Sequence, residues 1–192
     1  MNLLKNYLTV INEAIAESDL HAIDTLYRNL KERIGTTNRI FFVGNGGSAS
    51  VATHAVTDLS KLNLEENRLM AISLNDNVPL LTATANDYGY ENIYTEIIKN
   101  YEPTSNDLLI AISSSGNSSN VLNIVEFCNN INMETFALIG FDGGKLKKLA
   151  KNIIHIKTKE DYYGPVEDSH MIIFHLFVHI IKNDISELKD VL

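Results

Sequence analysis

The chain has 192 residues, 45% hydrophobic and 21% charged, with 16 Lys and Arg against 24 Asp and Glu for a formal net charge of −8. That length carries one domain with room for a real core, and the composition excludes intrinsic disorder, a collagen-like repeat and a disulfide scaffold. An acidic chain without a basic run is not built for nucleic acid, whose phosphates demand clustered Lys and Arg. It can still hold a small phosphorylated ligand on backbone amides and hydroxyls.

The chain's one cysteine, Cys128, forms no internal disulfide, and a reducing compartment is the simple reading. It lies in a stretch of helical periodicity, as a packing residue does. The first ten residues, MNLLKNYLTV, lack the continuous apolar core of a signal peptide. No apolar run approaches the ~18 residues of a membrane span, and the longest, Met171 to Ile181, is interrupted by His175 and His179. A cytoplasmic protein without membrane contact is expected.

Residues 1–34 carry apolar positions at helical spacing, Leu3, Leu4, Leu8, Ile11 and Ile15, then Leu20, Ile23, Leu26 and Leu30, with Ser18-Asp19 as a break and cap. Such a helical hairpin buries too little alone and should pack on the main body or on a partner subunit. Five short apolar runs follow: Arg39–Val43, Leu69–Ser73, Leu108–Ile112, Glu134–Ile139 and Asn152–Ile156. Each reads as a strand buried on both faces. Helical patterns separate them near 48–61, 78–100, 117–131 and 143–150, and a long one over about 165–190 closes the chain. The alternation predicts a three-layer α/β/α, doubly wound, five-stranded parallel sheet in one domain over 1–192, with ligands at the carboxyl ends of the strands.

Two loops at such ends are built for a phosphorylated ligand. The first strand runs into Gly44-Asn-Gly-Gly-Ser48, where the glycines let a ligand approach the main chain and Ser48 can cap the next helix. It is not a Walker loop, because no Gly-Lys-Ser/Thr follows. The third strand ends in Ser113-Ser-Ser-Gly-Asn-Ser118, whose hydroxyls, with the helix-start amides, can bind phosphate oxygens without lysine. A polar turn with a cap would explain either loop alone, but two together are harder to dismiss.

Gly44-Asn-Gly-Gly-Ser48, Asn86-Asp87-Tyr-Gly89, Ile112-Ser-Ser-Ser-Gly-Asn-Ser118 and Asp142-Gly-Gly-Lys145 fall in the order and spacing of sugar isomerase (SIS) domains. Within that group the whole chain resembles the phosphoheptose isomerases. The resemblance implies a flavodoxin-like sheet and a homotetramer with active sites at subunit interfaces. It also implies interconversion of sedoheptulose 7-phosphate with D-glycero-D-manno-heptose 7-phosphate, for heptose nucleotide-sugar synthesis. By position it places Ser113, Ser114, Ser115 and Ser118 in the phosphate loop, Asn45, Gly46 and Gly47, with Ser48 beside them, in a first substrate loop, and Asn86 with Asp87 in a second substrate-contacting pair.

Aldose–ketose isomerisation moves a proton between adjacent carbons through an enediol, so it needs a base, an acid at oxygen and stabilisation of the enediolate. His54 and Asp58, four residues apart after the first loop, share one helix face. A second cluster, Glu167, Asp168, His170, His175 and His179, lies in the last helix. The resembling enzymes use a His-x-x-x-Glu pair and a later Gln-x7-His pair as zinc ligands, the carboxylate and last histidine doubling as base and acid. That implies Zn(2+) at His54, Asp58, Glu167 and His175, with Asp58 and His175 catalytic and Glu167 also touching substrate.

Glu167 and His175 are separated by about 12 Å along an ideal helix, too far for one ion. Either the helix begins irregularly near Gly164-Pro165, or the two come from different subunits; periodicity alone would pair Asp168 with His175 equally well. The sequence also departs from the pattern of the group. Asp58 replaces a glutamate, Glu167 a glutamine, Leu62 an arginine and Gly164 an aspartate. A sugar-phosphate-binding protein without catalysis, or an isomerase of another phosphosugar, is the alternative.

Overall fold

The computed structural model describes residues 2–62 and 68–183. Its centre is a parallel sheet of β1 (Arg39–Gly44), β2 (Met70–Ser73), β3 (Leu108–Ser113), β4 (Glu134–Ile139) and β5 (Asn152–His155) in the spatial order β2-β1-β3-β4-β5. Each strand lies on one of the five apolar runs, to within a residue at either end. The helices are α1 (Asn2–Ala16), α2 (Leu20–Lys31), α3 (Gly46–Ser60), α4 (Val78–Tyr88), α5 (Ile93–Lys99), α6 (Ser119–Asn130), α7 (Leu146–Leu149) and α8 (Tyr163–Lys182).

The pleat sorts the core into two layers. Ile40, Phe42, Leu108, Ile110, Phe136 and Leu138 pack with α2, α3 and α8. Phe41, Val43, Leu109, Ala111, Ala137 and Ile139 pack with α5, α6 and α7. Both faces of the inner strands are therefore covered, which is why they read as continuous apolar runs rather than alternating ones. Cys128 of α6 is fully buried in the second layer, and burial pushes its thiol up to about 12.

The hairpin forms where expected. Asp19 caps α2, its carboxylate accepting from the N–H groups of His21 at 2.9 Å and Ala22 at 3.3 Å. Arg33, buried after α2, donates to the carbonyls of Asn106 and Asp107 and so ties the hairpin to the start of β3. Helix α1 packs chiefly along α8, with Tyr7 Oη donating to Asp168 at 2.6 Å, and leaves Leu3, Leu4 and Leu8 exposed. Among the described residues no helix is long and apolar enough to cross a membrane.

Three expectations need correction. The single helix over 78–100 is broken: Gly89, at φ +84°, ends α4, and a short 3-10 turn over Tyr90–Asn92 leads into α5. The helix near 143–150 shrinks to α7, because Gly143 and Gly144 sit at positive φ and form a turn instead. Helix α3 starts before Ser48: Asn45 occupies the cap position in an extended conformation, and Ser48 is buried in the first turn. The last helix begins at Tyr163, and residues 184–190 of the expected span lie outside the described residues.

Candidate active site

From β1 the chain leads outward to β2, whereas from β3 it leads the other way to β4. At such a reversal the two departing loops separate and leave a crevice at the carboxyl ends of the strands. The loops that flank it are the two singled out by sequence.

The loop after β1 is pinned from several sides. Asn75, just beyond β2, donates to the Gly44 carbonyl and to Tyr94 Oη, each at 2.8 Å, and Tyr94 Oη also donates to that carbonyl. Asn45 pairs its side chain with that of Asn120, at 2.8 and 2.9 Å in the two directions. Gly46, exposed, opens α3, and Gly47 follows in its first turn with the Glu167 carboxylate against it: a Cβ on Gly47 would lie 2.1 Å from Glu167 Oε2. The Glu167 carboxyl is held above its ordinary range, first by partial burial and then by neighbouring Asp168.

The loop after β3 is braced by the turn before α7. The Leu146 N–H donates to the Gly116 carbonyl at 3.0 Å and the Lys145 N–H to Asn117 Oδ1 at 3.1 Å. Ser113 Oγ accepts from the Gly116 N–H and Ser115 Oγ from the Asn117 N–H. Ser118 stands at the cap position of α6 without a side-chain cap bond. Ser114 Oγ is buried and makes no hydrogen bond among the described residues. The Ser118 hydroxyl, which makes no cap bond, and the first N–H groups of α6 suit an anion.

The acid/base candidates converge from two helices. Asp58 Oδ2 lies 3.3 Å from His54 Nε2 on α3 and 3.8 Å from His175 Nε2 on α8, and the two imidazole nitrogens are 3.5 Å apart. These three groups offer ligand atoms within 4.8 Å of one another, close enough to hold one metal ion. Tetrahedral zinc with ligand bonds of about 2.0–2.1 Å needs ligand atoms about 3.3 Å apart, so the triangle is close to one face of that polyhedron. The donor set, two imidazoles and a carboxylate, also suits zinc. Helix α8 is regular from Tyr163, which removes the option of an irregular start, and Glu167 stays with Gly47, outside this cluster.

A cleft of about 680 Å³ opens beside His54, lined also by Ser50, Thr53, Thr57 and Asn75. A smaller one of about 240 Å³ shares Ala49, Asn75 and Leu81 with it and reaches Asn45, Tyr90 and Tyr94. Asn86 and Asp87 lie on the exposed face of α4, bonded to each other at 2.9 Å and lining neither cleft. Ser115 faces a separate cavity of about 300 Å³ whose Asp142, Glu160 and Asp161 do not suit a phosphate. Sequence reasoning missed Asn75, Tyr94 and Asn120. Asn75 follows the carboxyl end of a parallel strand, a signal that could have marked it; the tyrosine offers none.

Residues 5–140 match the SIS domain family, well over half of the chain, and the chain belongs to that family. Similar proteins include phosphoheptose isomerases. That of Helicobacter pylori is 36% identical over 185 residues, covering 94% of this chain and 95% of the relative. That of Aneurinibacillus thermoaerophilus is 30% identical over 182 residues, covering 93% and 90%. The solved structure of a phosphoheptose isomerase from Francisella tularensis superimposes with a TM-score of 0.83 at 26% identity and covers 95% of each chain.

Proposed function

We propose that the protein is an aldose–ketose isomerase that converts sedoheptulose 7-phosphate to D-glycero-D-manno-heptose 7-phosphate. The observation that carries this reading is the meeting of His54, Asp58 and His175, from helices distant in sequence, at a cleft that adjoins the one reaching the loop after β1. Similarity to phosphoheptose isomerases over nearly the whole chain supports the seven-carbon substrate.

In this mechanism the serine loop and the amino end of α6 hold the phosphate, and Asn45 to Gly47 hold the sugar. Asp58 removes a proton from C1 of the ketose while His175 protonates the oxygen on C2, giving the enediol. Return of a proton to C2, with loss of the proton from the C1 hydroxyl, completes the aldose. His54, Asp58 and His175 would hold zinc, which when bound would polarise the substrate oxygens and stabilise the enediolate, leaving the second Asp58 oxygen and the other His175 ring nitrogen for proton transfer. Glu167 completes the set from a second copy of the chain, because a straight α8 keeps it about 12 Å along the helix from its own His175. The active sites then lie between subunits of a homo-oligomer, with the exposed leucines of α1 in the packing surface.

The test is incubation with sedoheptulose 7-phosphate, with and without added zinc, for the parent, Asp58→Asn and His175→Gln. Turnover by the parent and a loss on the order of 1,000-fold in each variant is expected. A parent that binds the sugar phosphate but never converts it would instead mark a binding protein.

A further inference from the structure

Asn45 does not stand free at the mouth of the crevice. Its Oδ1 receives the amide of Asn120 at 2.9 Å, the hydroxyl of Tyr90 at 2.9 Å and lies 3.1 Å from that of Tyr94. An amide oxygen has two lone pairs, so this one has no capacity left for a ligand. Its Nδ2 gives one N–H to Asn120 Oδ1 at 2.8 Å, and the other N–H has no partner among the described residues. Asn120 Oδ1 in turn accepts from the Val121 N–H at 3.0 Å, which fixes which way the Asn120 amide faces. Asn120 is 1% exposed and cannot reach a ligand itself, whereas Asn45 is only partly buried and lines the smaller cleft.

We propose that Asn120 is a positioning residue: its amide, paired with that of Asn45 across the β1–β3 crevice, keeps the Asn45 oxygen turned inward and one N–H turned outward. Asn45 then addresses the ligand as a donor only, and the group it meets is an oxygen acting as acceptor, a sugar hydroxyl or carbonyl. The same pair ties the sugar loop after β1 to the phosphate loop before α6, so the two halves of the ligand are held at a fixed spacing. This inference rests on the reading of the site as a sugar-phosphate isomerase.

The experiment is a double-mutant cycle on turnover of sedoheptulose 7-phosphate with Asn45→Ala, Asn120→Ala and the double variant, with urea midpoints measured in parallel. Each single variant is expected to lose about tenfold in kcat/KM, carried by KM with kcat nearly kept, and the double variant to lose no more than either single one. A structural loosening would lower the active fraction, and hence kcat, and leave KM in place. Losses that multiply to about 100-fold in the double variant, or that fall on kcat alone, overturn the proposal while the isomerase reading stands. If Asn120→Ala does not fold, Asn120→Ser, which can still cap Val121 but is too short to reach Asn45, replaces it. A parent inert toward the sugar phosphate overturns the isomerase reading, and this inference with it, before any variant is made.

Discussion

Gly47 and Gly116 sit at the loops after β1 and β3 and answer to different neighbours. At Gly47 an added Cβ meets the end of the flexible Glu167 side chain, at 2.1 Å from Oε2, and the carboxylate can swing away. Gly47→Ala should therefore change stability by less than about 1 kcal/mol, yet lower kcat/KM at least about tenfold, because Glu167 is displaced. At Gly116 the same Cβ lies 2.1 Å from the Gly143 carbonyl oxygen, a backbone atom, at φ +62°. Gly116→Ala should cost on the order of 2 kcal/mol or more, read as a lower urea midpoint. The carboxylate over Gly47 also accounts for a departure noted in the sequence. Where the resembling enzymes carry glutamine, Glu167 adds a negative charge, but it lies at the amino end of α3, where the helix dipole favours one. The His54 and Asp58 pair was legible because four-residue spacing on one helix dictates their proximity. The Asn45–Asn120 pair was not, because it depends on how closely two loops approach across a sheet reversal.

Helix α8 serves both the core and the site, and one of its residues links them to pH. His170 is fully buried, and burial lowers its pKa from 6.5 to about 4, with nearby His155 adding to the effect and the Ile139 carbonyl opposing it. A histidine with a depressed folded pKa must be neutral in the native state, while the unfolded chain takes up the proton below about pH 6.5. Stability from this group is thus complete above pH 6.5 and declines as pH falls toward 4, by on the order of 3 kcal/mol. Urea midpoints measured from pH 7 to 4 should show that decline, and His170→Leu should flatten it. Strands were the best-read elements, since burial on both faces leaves an unbroken apolar run bounded by polar turns. The break between α4 and α5 escaped notice because apolar periodicity continues across it; only the backbone of Gly89, at φ +84°, ends the helix. The start of α3 escaped for the opposite reason, since a pair of glycines reads as loop although it forms the first turn.

At the scale of the whole molecule, an active site divided between copies has a direct signature. Glu167→Ala and His175→Gln subunits, each inactive alone, should regain a fraction of parental activity when unfolded together and refolded as mixed oligomers. Sites that pair an intact Glu167 from one copy with an intact His175 from another account for the gain. No recovery, or a solution mass equal to the 21.5 kDa of one chain, would place every site within a single subunit. The net charge of −8 is compatible with a phosphorylated ligand, because hydroxyls and helix-start amides can bind an anion without lysines. Thiol chemistry offers a view of the same chain from its interior. Cys128 is sealed beneath α6, and its thiol is held protonated far above neutral pH. An alkylating reagent can reach it only when that layer of the core opens. The rate at which the native protein gains one alkyl group, followed by mass spectrometry, is therefore an intrinsic clock for opening of the sheet. It requires no engineered label and leaves the loops after β1 and β3 untouched.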